Sequence, residues 1–318
     1  CHMVNEHLFP AIKGLDPVHI STLHNRMDKV VKGNPYAKAA LDIAIYDIMG
    51  KALDRPACDL LGGDFRDGIE VAHSLGIMPV DQCIEEAKIA VDEGVLTIKC
   101  KTGLDANRDV ELVRRLREEV SETVKIRVDG NEGYSSVSEA ARVTKAQEEY
   151  GIMFCEQPLM GARDLARVAN RIDSPIMADE SAWTMHDIIE LDSLSAAQYI
   201  SCYVTKPGGL YRAKQQADLA GALHMSVDIG GSIELGIGNA ANLHLGAALA
   251  NASLPSVCPV TKPKGCKGPE IAGIYYLDDV VTQAFDFVDG RVLRPKGAGL
   301  GIEVDIQKIS PKIENKLP

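Results

Sequence analysis

The sequence contains no apolar run approaching 18 residues, so no membrane-spanning helix is expected. Its opening, Cys1-His2-Met3-Val4-Asn5-Glu6-His7, has no basic stretch followed by an apolar one, and so no sign of a secretory leader. Basic residues are in deficit: 34 Lys and Arg face 45 Asp and Glu, a formal charge of −11. A chain with that balance repels nucleic acid and anionic membrane unless it holds a local basic patch, and neither is expected as a partner. The eight cysteines form no C-x-x-C pair and show no zinc-finger spacing. Most sit inside apolar runs, where small buried thiols of a reducing cytoplasm belong. With 318 residues, 46% hydrophobic and 25% charged, the chain is neither disordered, collagen-like nor a disulfide-stapled miniprotein.

What is present is a repeat. From about residue 70 to 260 a short β-rich run is followed, again and again, by an amphipathic helical stretch. The strand candidates are 71–75, 97–101, 125–129, 152–156, 175–179, 198–204, 226–230 and 255–258. Helical spacing marks 80–93, 107–120, 138–149, 164–171, 185–191, 211–223 and 238–251 between them. Such alternation implies a parallel sheet, and eight strands most naturally close into a modified (β/α)8 TIM-type barrel, with a doubly wound open sheet as the alternative. Residues 1–66 differ: 36–53 is an Ala-rich helix, ended by Pro56 and Leu60-Leu61-Gly62-Gly63. The expected division is a barrel over 67–265, with 1–66 and a strand-bearing segment 266–318 packing together as a smaller α+β cap.

Charged residues recur at the strand ends. Alternation turns Lys99 and Lys101 inward, with Ile98 and Cys100 outward, and sets Asp129 and Asn131 on one parity. Glu156, Asp179 with Glu180, Lys206 and Glu234 follow the later strands. The steps from Lys101 through Asp129, Glu156, Asp179 and Lys206 to Glu234 are 28, 27, 23, 27 and 28 residues, one βα unit each. A barrel presents its site at that face. Taken singly, an Asp at a strand end is a helix cap and a Lys after a strand is solvated. Together, three carboxylates on consecutive strands cannot converge without a cation, and hard oxygen donors without histidine select Mg²⁺ or Mn²⁺. Lysines flank the acids from two sides, where a nearby cation would depress their pKa and release one as a base.

These residues carry a resemblance that covers nearly the whole chain. Lys99-x-Lys101, Val128-Asp129-Gly130-Asn131, Glu156-Gln157-Pro158, Ala178-Asp179-Glu180-Ser181 and Lys206-Pro207-Gly208-Gly209-Leu210 together resemble the enolase superfamily, in its muconate lactonizing enzyme subgroup. The resemblance implies Asp129, Glu156 and Asp179 as metal ligands and Lys101 and Lys206 as an acid/base pair on two faces of the substrate. Lys99 would polarise a substrate carboxylate. Asn131, Glu180 and Glu234 would contact substrate or support these groups. It further implies a small-molecule carboxylate substrate, proton abstraction next to the carboxylate through an enediolate, and a homo-oligomer. Enolase-superfamily sites use a Lys or His base with Mg²⁺. The intermediate can be reprotonated, giving racemisation or epimerisation; formed from a lactone, it can collapse, giving cycloisomerisation; or it can lose a β-leaving group, giving dehydration. A Schiff-base aldolase using Lys206 and a catalytically silent barrel are the rival readings.

Four further absences refine this. A mandelate racemase relative would carry a His base after the seventh strand; here Gly230-Gly231 stands there and Lys206 follows the sixth. Dipeptide epimerases of the subgroup carry Asp-x-Asp after the eighth strand; here 258–264 is basic, which suggests Lys262 or Lys264 as a contact for a second polar or anionic group, against a solvated loop. Gly236-Ile237-Gly238-Asn239-Ala240-Ala241 matches a dinucleotide fingerprint, but no acid occurs between Glu234 and Glu270, so neither nicotinamide nor flavin is expected. Its glycines are expected to start the last barrel helix, near a carboxylate or the metal site. The three-stranded meander that opens the family's cap has no counterpart in the sequence as it stands.

Overall fold

A computed structural model of the chain describes residues 1–231, 233–258, 263–266 and 276–309. A π-helical stretch Met3–Leu8 runs into α1 (Phe9–Ile12), followed by α2 (Ile20–Val30) and α3 (Pro35–Leu53). Pro35 opens α3, where its missing N–H costs nothing, and Asp54 closes it in the left-handed conformation. After β1 (Gly68–Glu70) the alternation begins: β2 (Ala72–Leu75), α4 (Val80–Asp92), β3 (Thr97–Lys101), α5 (Ala106–Glu119), β4 (Lys125–Asp129), α6 (Val137–Glu148), β5 (Ile152–Glu156), α7 (Ala162–Ala169), β6 (Ile176–Ala178), α8 (Met185–Ser193), β7 (Tyr199–Cys202), α9 (Leu210–Ala222), β8 (Ser226–Ile229) and α10 (Gly236–Ala247). β9 (Phe287–Val288) and β10 (Arg291–Leu293) come last. None of these helices is long and apolar enough to cross a membrane.

Strands β2 to β8 form one parallel sheet in strictly sequential order. Alternation works as the sequence implies. Ile98, Cys100, Ile126 and Val128 turn outward and lie fully buried in one apolar cluster with Leu112, Leu116, Ala140 and Val143 of the covering helices. Each large aliphatic side chain buried this way contributes about 1.5–3 kcal/mol. Helix starts are fixed locally: Asp105 and Ser136 accept from backbone N–H groups three residues on, and Thr184 with Asp187 forms a reciprocal cap on α8.

The eighth barrel strand expected at 255–258 is not a strand. It is reduced to a single bridge between Ser256 and Val71. The Ser256 carbonyl accepts from Ala72 N (2.8 Å) and the Ser256 N–H donates to the Glu70 carbonyl (2.8 Å). On the other edge, Ile229 N donates to the Ser256 hydroxyl at 2.9 Å. Pro255 offers no N–H to continue a ladder, so a side-chain bond adds to the backbone bonds of Val227 with Asn251 (3.0 Å) and Leu254 (3.4 Å) in closing the ring. A strand the sequence did not suggest, β1, joins the C-terminal hairpin in an antiparallel sheet of order β1-β10-β9. Beyond that hairpin the chain reaches α3: Ala57 N donates to the Gly299 carbonyl (2.8 Å), and Leu300 N to Asp47 Oδ1 (2.9 Å).

The glycine-rich motif opens α10, two residues earlier than its first expected position. Gly236 N donates to both carboxylate oxygens of Asp279, at 3.0 and 2.9 Å. The anion at this helix N-terminus is a side chain of the protein itself, which satisfies donors a dinucleotide phosphate would need.

Candidate active site

A cavity of about 530 Å³ lies at the C-terminal ends of the barrel strands. Lys99, Lys101, Asn131, Glu156, Asp179 and Glu180 line it, with Ile77, Tyr203 and Ile233 among its other walls. Parallel pairing sets the height of the charged groups. Lys101 stands beside Asp129, and Asp129 beside Glu156, on three successive strands. Of the charges expected from the 23–28-residue spacing, Lys101, Glu156 and Asp179 line this mouth and Asp129 stands between the first two, whereas Lys206 and Glu234 are not on its wall.

The ammonium groups sit on the acids. Lys99 Nζ is 2.8 Å from both Asp129 Oδ2 and Glu156 Oε1. Lys101 Nζ lies 2.6 Å from Asp129 Oδ2 and donates to Asn131 Oδ1 at 2.5 Å. Burial alone would push the Lys99 pKa down, but Asp129 and Glu156 more than reverse it, so Lys99 stays a cation above its ordinary range. The same pairing holds Asp129 well below the usual carboxylate range, against the effect of its burial. Glu156 moves up instead, through burial and then the charges of Asp129 and Asp179, which outweigh Lys99 and Arg127.

On the far side, Lys206 is buried. Its Nζ donates to Asp179 Oδ1 (2.8 Å), the Asp179 carbonyl (3.0 Å) and the Ser201 carbonyl (2.6 Å), and lies 4.7 Å from the centre of the Tyr203 ring. Asn131 Nδ2 donates to Glu180 Oε1 at 3.0 Å, while the buried Glu180 Oε2 has no hydrogen-bond partner among the described residues. Burial first, and then Asp179, pushes Glu180 up to about 7. Glu234 accepts from Thr205 Oγ1 at 2.9 Å, beside Lys206 rather than on the cavity wall. Lys264 is exposed, its backbone N–H bound to Asp278, and Lys262 lies outside the described residues.

Two charged groups here were passed over in the sequence. Arg127 is fully buried beneath the cavity, 2.6 Å from Glu156 Oε2 and 2.8 Å from Asp228 Oδ2. The signal was available: Arg127 shares the inward parity of Asp129, and Asp228 interrupts an apolar strand.

The donor set suits a hard divalent cation: carboxylate oxygens on three adjacent strands, with the orphaned Glu180 Oε2 next to them. Among the described residues no three carboxylate, His or Cys groups stand close enough together to hold a metal ion, and lysine ammonium groups lie against Asp129, Glu156 and Asp179.

A sequential barrel with three acids on consecutive strands, flanked by lysines, defines the class: a TIM-type barrel carrying a cap. The profile "Enolase C-terminal domain-like" matches residues 82–309, and that of the "Mandelate racemase / muconate lactonizing enzyme, N-terminal domain" matches residues 1–62. The chain belongs to the enolase superfamily, in its muconate lactonizing enzyme-like subgroup. It is 31% identical to N-succinyl-L-Arg/Lys racemase of Bacillus cereus over 77% of this chain and 67% of that protein. It is 29% identical to muconate cycloisomerase 1 of Rhodococcus opacus over 98% of this chain and 82% of that one. Among solved structures, the Bacillus cereus racemase superposes with a TM-score of 0.89 at 26% identity, covering 98% of this chain and 80% of that one. Dipeptide epimerase of Enterococcus faecalis gives 0.83 at 30%, covering 92% and 82%. The similar proteins include racemases, epimerases and cycloisomerases, and also o-succinylbenzoate synthase of Geobacillus kaustophilus, 31% identical over 97% of this chain and 78% of that one.

Proposed function

We propose that this protein removes the proton α to the carboxylate of a small carboxylic acid, with Mg²⁺ bound, and isomerises the acid by racemisation, epimerisation or cycloisomerisation. One observation carries the reading. Lys101 ends β3 and Lys206 follows β7, four strands away around the barrel, and Asp129, Glu156 and Asp179 end the strands between them. Two opposed lysines address both faces of a substrate lying across the acids. The names of the similar proteins support an isomerase.

Asp129, Glu156 and Asp179 would hold the ion, which supplies Lewis-acid stabilisation of the negative charge left when the α-proton departs. Lys99, kept cationic by its two acids, adds a fixed positive charge beside that developing charge. Lys101, about a quarter exposed at its side chain, is the more accessible base. It takes the proton at Nζ once the charge of Asp129 is shared elsewhere, since losing a neighbouring anion lowers a lysine's proton affinity. Lys206 delivers a proton from the opposite face by leaving Asp179. Reprotonation there inverts the centre; if the substrate is a lactone, the same intermediate expels the ring carboxylate from the β-carbon and opens the ring, a cycloisomerisation whose reverse is closure and protonation; loss of a β-hydroxyl as water gives, as the second outcome, dehydration. A Schiff base at Lys206 is disfavoured by burial and by three oxygens that hold its charged form.

The test is α-proton exchange in D₂O, followed by NMR, across N-acyl amino acids, muconate-like diacids and hydroxylated proline-type acids. Exchange that stops with EDTA and returns with Mg²⁺ is expected. Lys206→Ala should block exchange from one stereoisomer and Lys101→Ala from the other. Silence toward every acid with Mg²⁺ present would return the protein to a non-catalytic barrel, and borohydride trapping of Lys206 with a carbonyl compound would make it an aldolase.

A further inference from the structure

Beneath the cavity floor Glu156 joins a charge cluster whose other two members, Arg127 and Asp228, the proposed reaction does not use. The Arg127 guanidinium is wholly buried. One terminal nitrogen, NH2, serves two acids: Glu156 Oε2 on β5 (2.6 Å) and Asp228 Oδ2 on β8 (2.8 Å). The second contact is close but off the hydrogen-bond axis. The other terminal nitrogen donates to the Pro255 carbonyl at 2.8 Å, next to the Ser256 that closes the barrel. The guanidinium carbon also lies 4.8 Å from the centre of the Phe154 ring. A buried ion costs several kcal/mol, and a buried ion pair is weak support for stability on its own, so this cluster calls for a role besides packing.

We propose that Arg127 is a positioning residue for Glu156, and that Asp228 sets how strongly it acts. Lys99 holds Glu156 Oε1 and Arg127 holds Oε2. Two cations on two different strands therefore fix the plane of one carboxylate. The second guanidinium nitrogen, bound to the Pro255 carbonyl, fixes the plane from which the first reaches Glu156, a constraint that a single ammonium lacks. Asp228 draws on the same guanidinium nitrogen. Part of the Arg127 charge is thereby spent on an acid outside the cavity, and Glu156 keeps enough negative charge to bind a cation. The inference rests on the metal reading above.

The test uses Mn²⁺ as the probe, with binding followed by electron paramagnetic resonance, and melting temperature measured alongside. Arg127→Lys should fold and weaken Mn²⁺ by about 10–100-fold, the cost usual when a support of a metal ligand is lost. Its kcat should fall with little change in KM. The pair Arg127→Met with Asp228→Leu removes two opposite buried charges together, although Glu156 Oε2 still loses its partner. It should melt above Arg127→Met alone without regaining Mn²⁺ affinity. If that double variant binds Mn²⁺ like the wild type, the cluster is structural only and the proposal is overturned. If the double variant does not fold, R127K decides alone, with unchanged Mn²⁺ affinity as the overturning result. A wild-type protein that binds no Mn²⁺ defeats the metal reading instead. The crystal structure of R127K then decides: an unmoved Glu156 carboxylate overturns the positioning role, and a rotated one upholds it.

Discussion

His244 ties three parts of the chain together, and its protonation should loosen all three. It lies on α10, and its Nδ1 accepts from the backbone N–H of Cys58, while Nε2 meets the Leu300 carbonyl at 3.1 Å. Those partners require a neutral imidazole with its proton on Nε2. A second proton on Nδ1 would face the Cys58 N–H, donor against donor. Burial, with Arg294 adding to it, moves the pKa from an ordinary 6.5 down to about 4. The unfolded chain takes up the proton below pH 6.5 and the folded one only near 4. The stabilisation is thus complete above 6.5 and is lost as pH falls from 6.5 towards 4. At about 1.4 kcal/mol per pH unit that loss comes to about 3 kcal/mol. Urea unfolding of wild type and His244→Gln at half-unit steps from pH 8 to 4 measures it. Gln keeps a donor for Leu300 and does not titrate. The stability difference between the two proteins should be flat above 6.5 and shift by about 3 kcal/mol against the wild type below it. A difference that stays constant down to pH 4 would refute the reasoning.

Other consequences follow from single contacts. Gly209 has φ +131°, and a Cβ there would overlap the Asp42 side chain, so Gly209→Ala should cost about 2–4 kcal/mol in urea unfolding and reduce exchange activity by displacing the Lys206 turn. Ser256→Ala strips Ile229 N of its acceptor at the barrel seam, and should lower stability by about 1–3 kcal/mol, whereas Ser256→Thr, which keeps the hydroxyl, should lose less. Asp129→Asn and Glu156→Gln should each abolish Mg²⁺ binding by calorimetry; normal binding by either removes that residue from the ligand set.

Much of the site can be read from the chain because strand alternation is a local rule. Lys99, Lys101 and Asp129 are placed by counting in twos along short strands, and the βα repeat puts each at the same mouth. The Arg127–Asp228 pair uses the same rule, yet its meaning depends on β4 and β8 meeting across the barrel interior. Nothing local in Lys125-Ile126-Arg127-Val128 says which acid lies opposite. Nor does anything local to Lys99 say that Asp129 and Glu156 both stand 2.8 Å from its ammonium and raise its pKa.

Sequence alone determined the βα alternation, the inward parity of the charged residues and the family the motifs resemble, because each rests on spacing along the backbone. Tertiary structure decided what the ring closure made possible. Ser256 replaced an eighth strand, Asp279 took the helix terminus that a glycine motif advertised, and Arg127 found two acids on different strands. Each of those contacts joins residues at least 20 positions apart, and only the closed barrel brings them within hydrogen-bond distance.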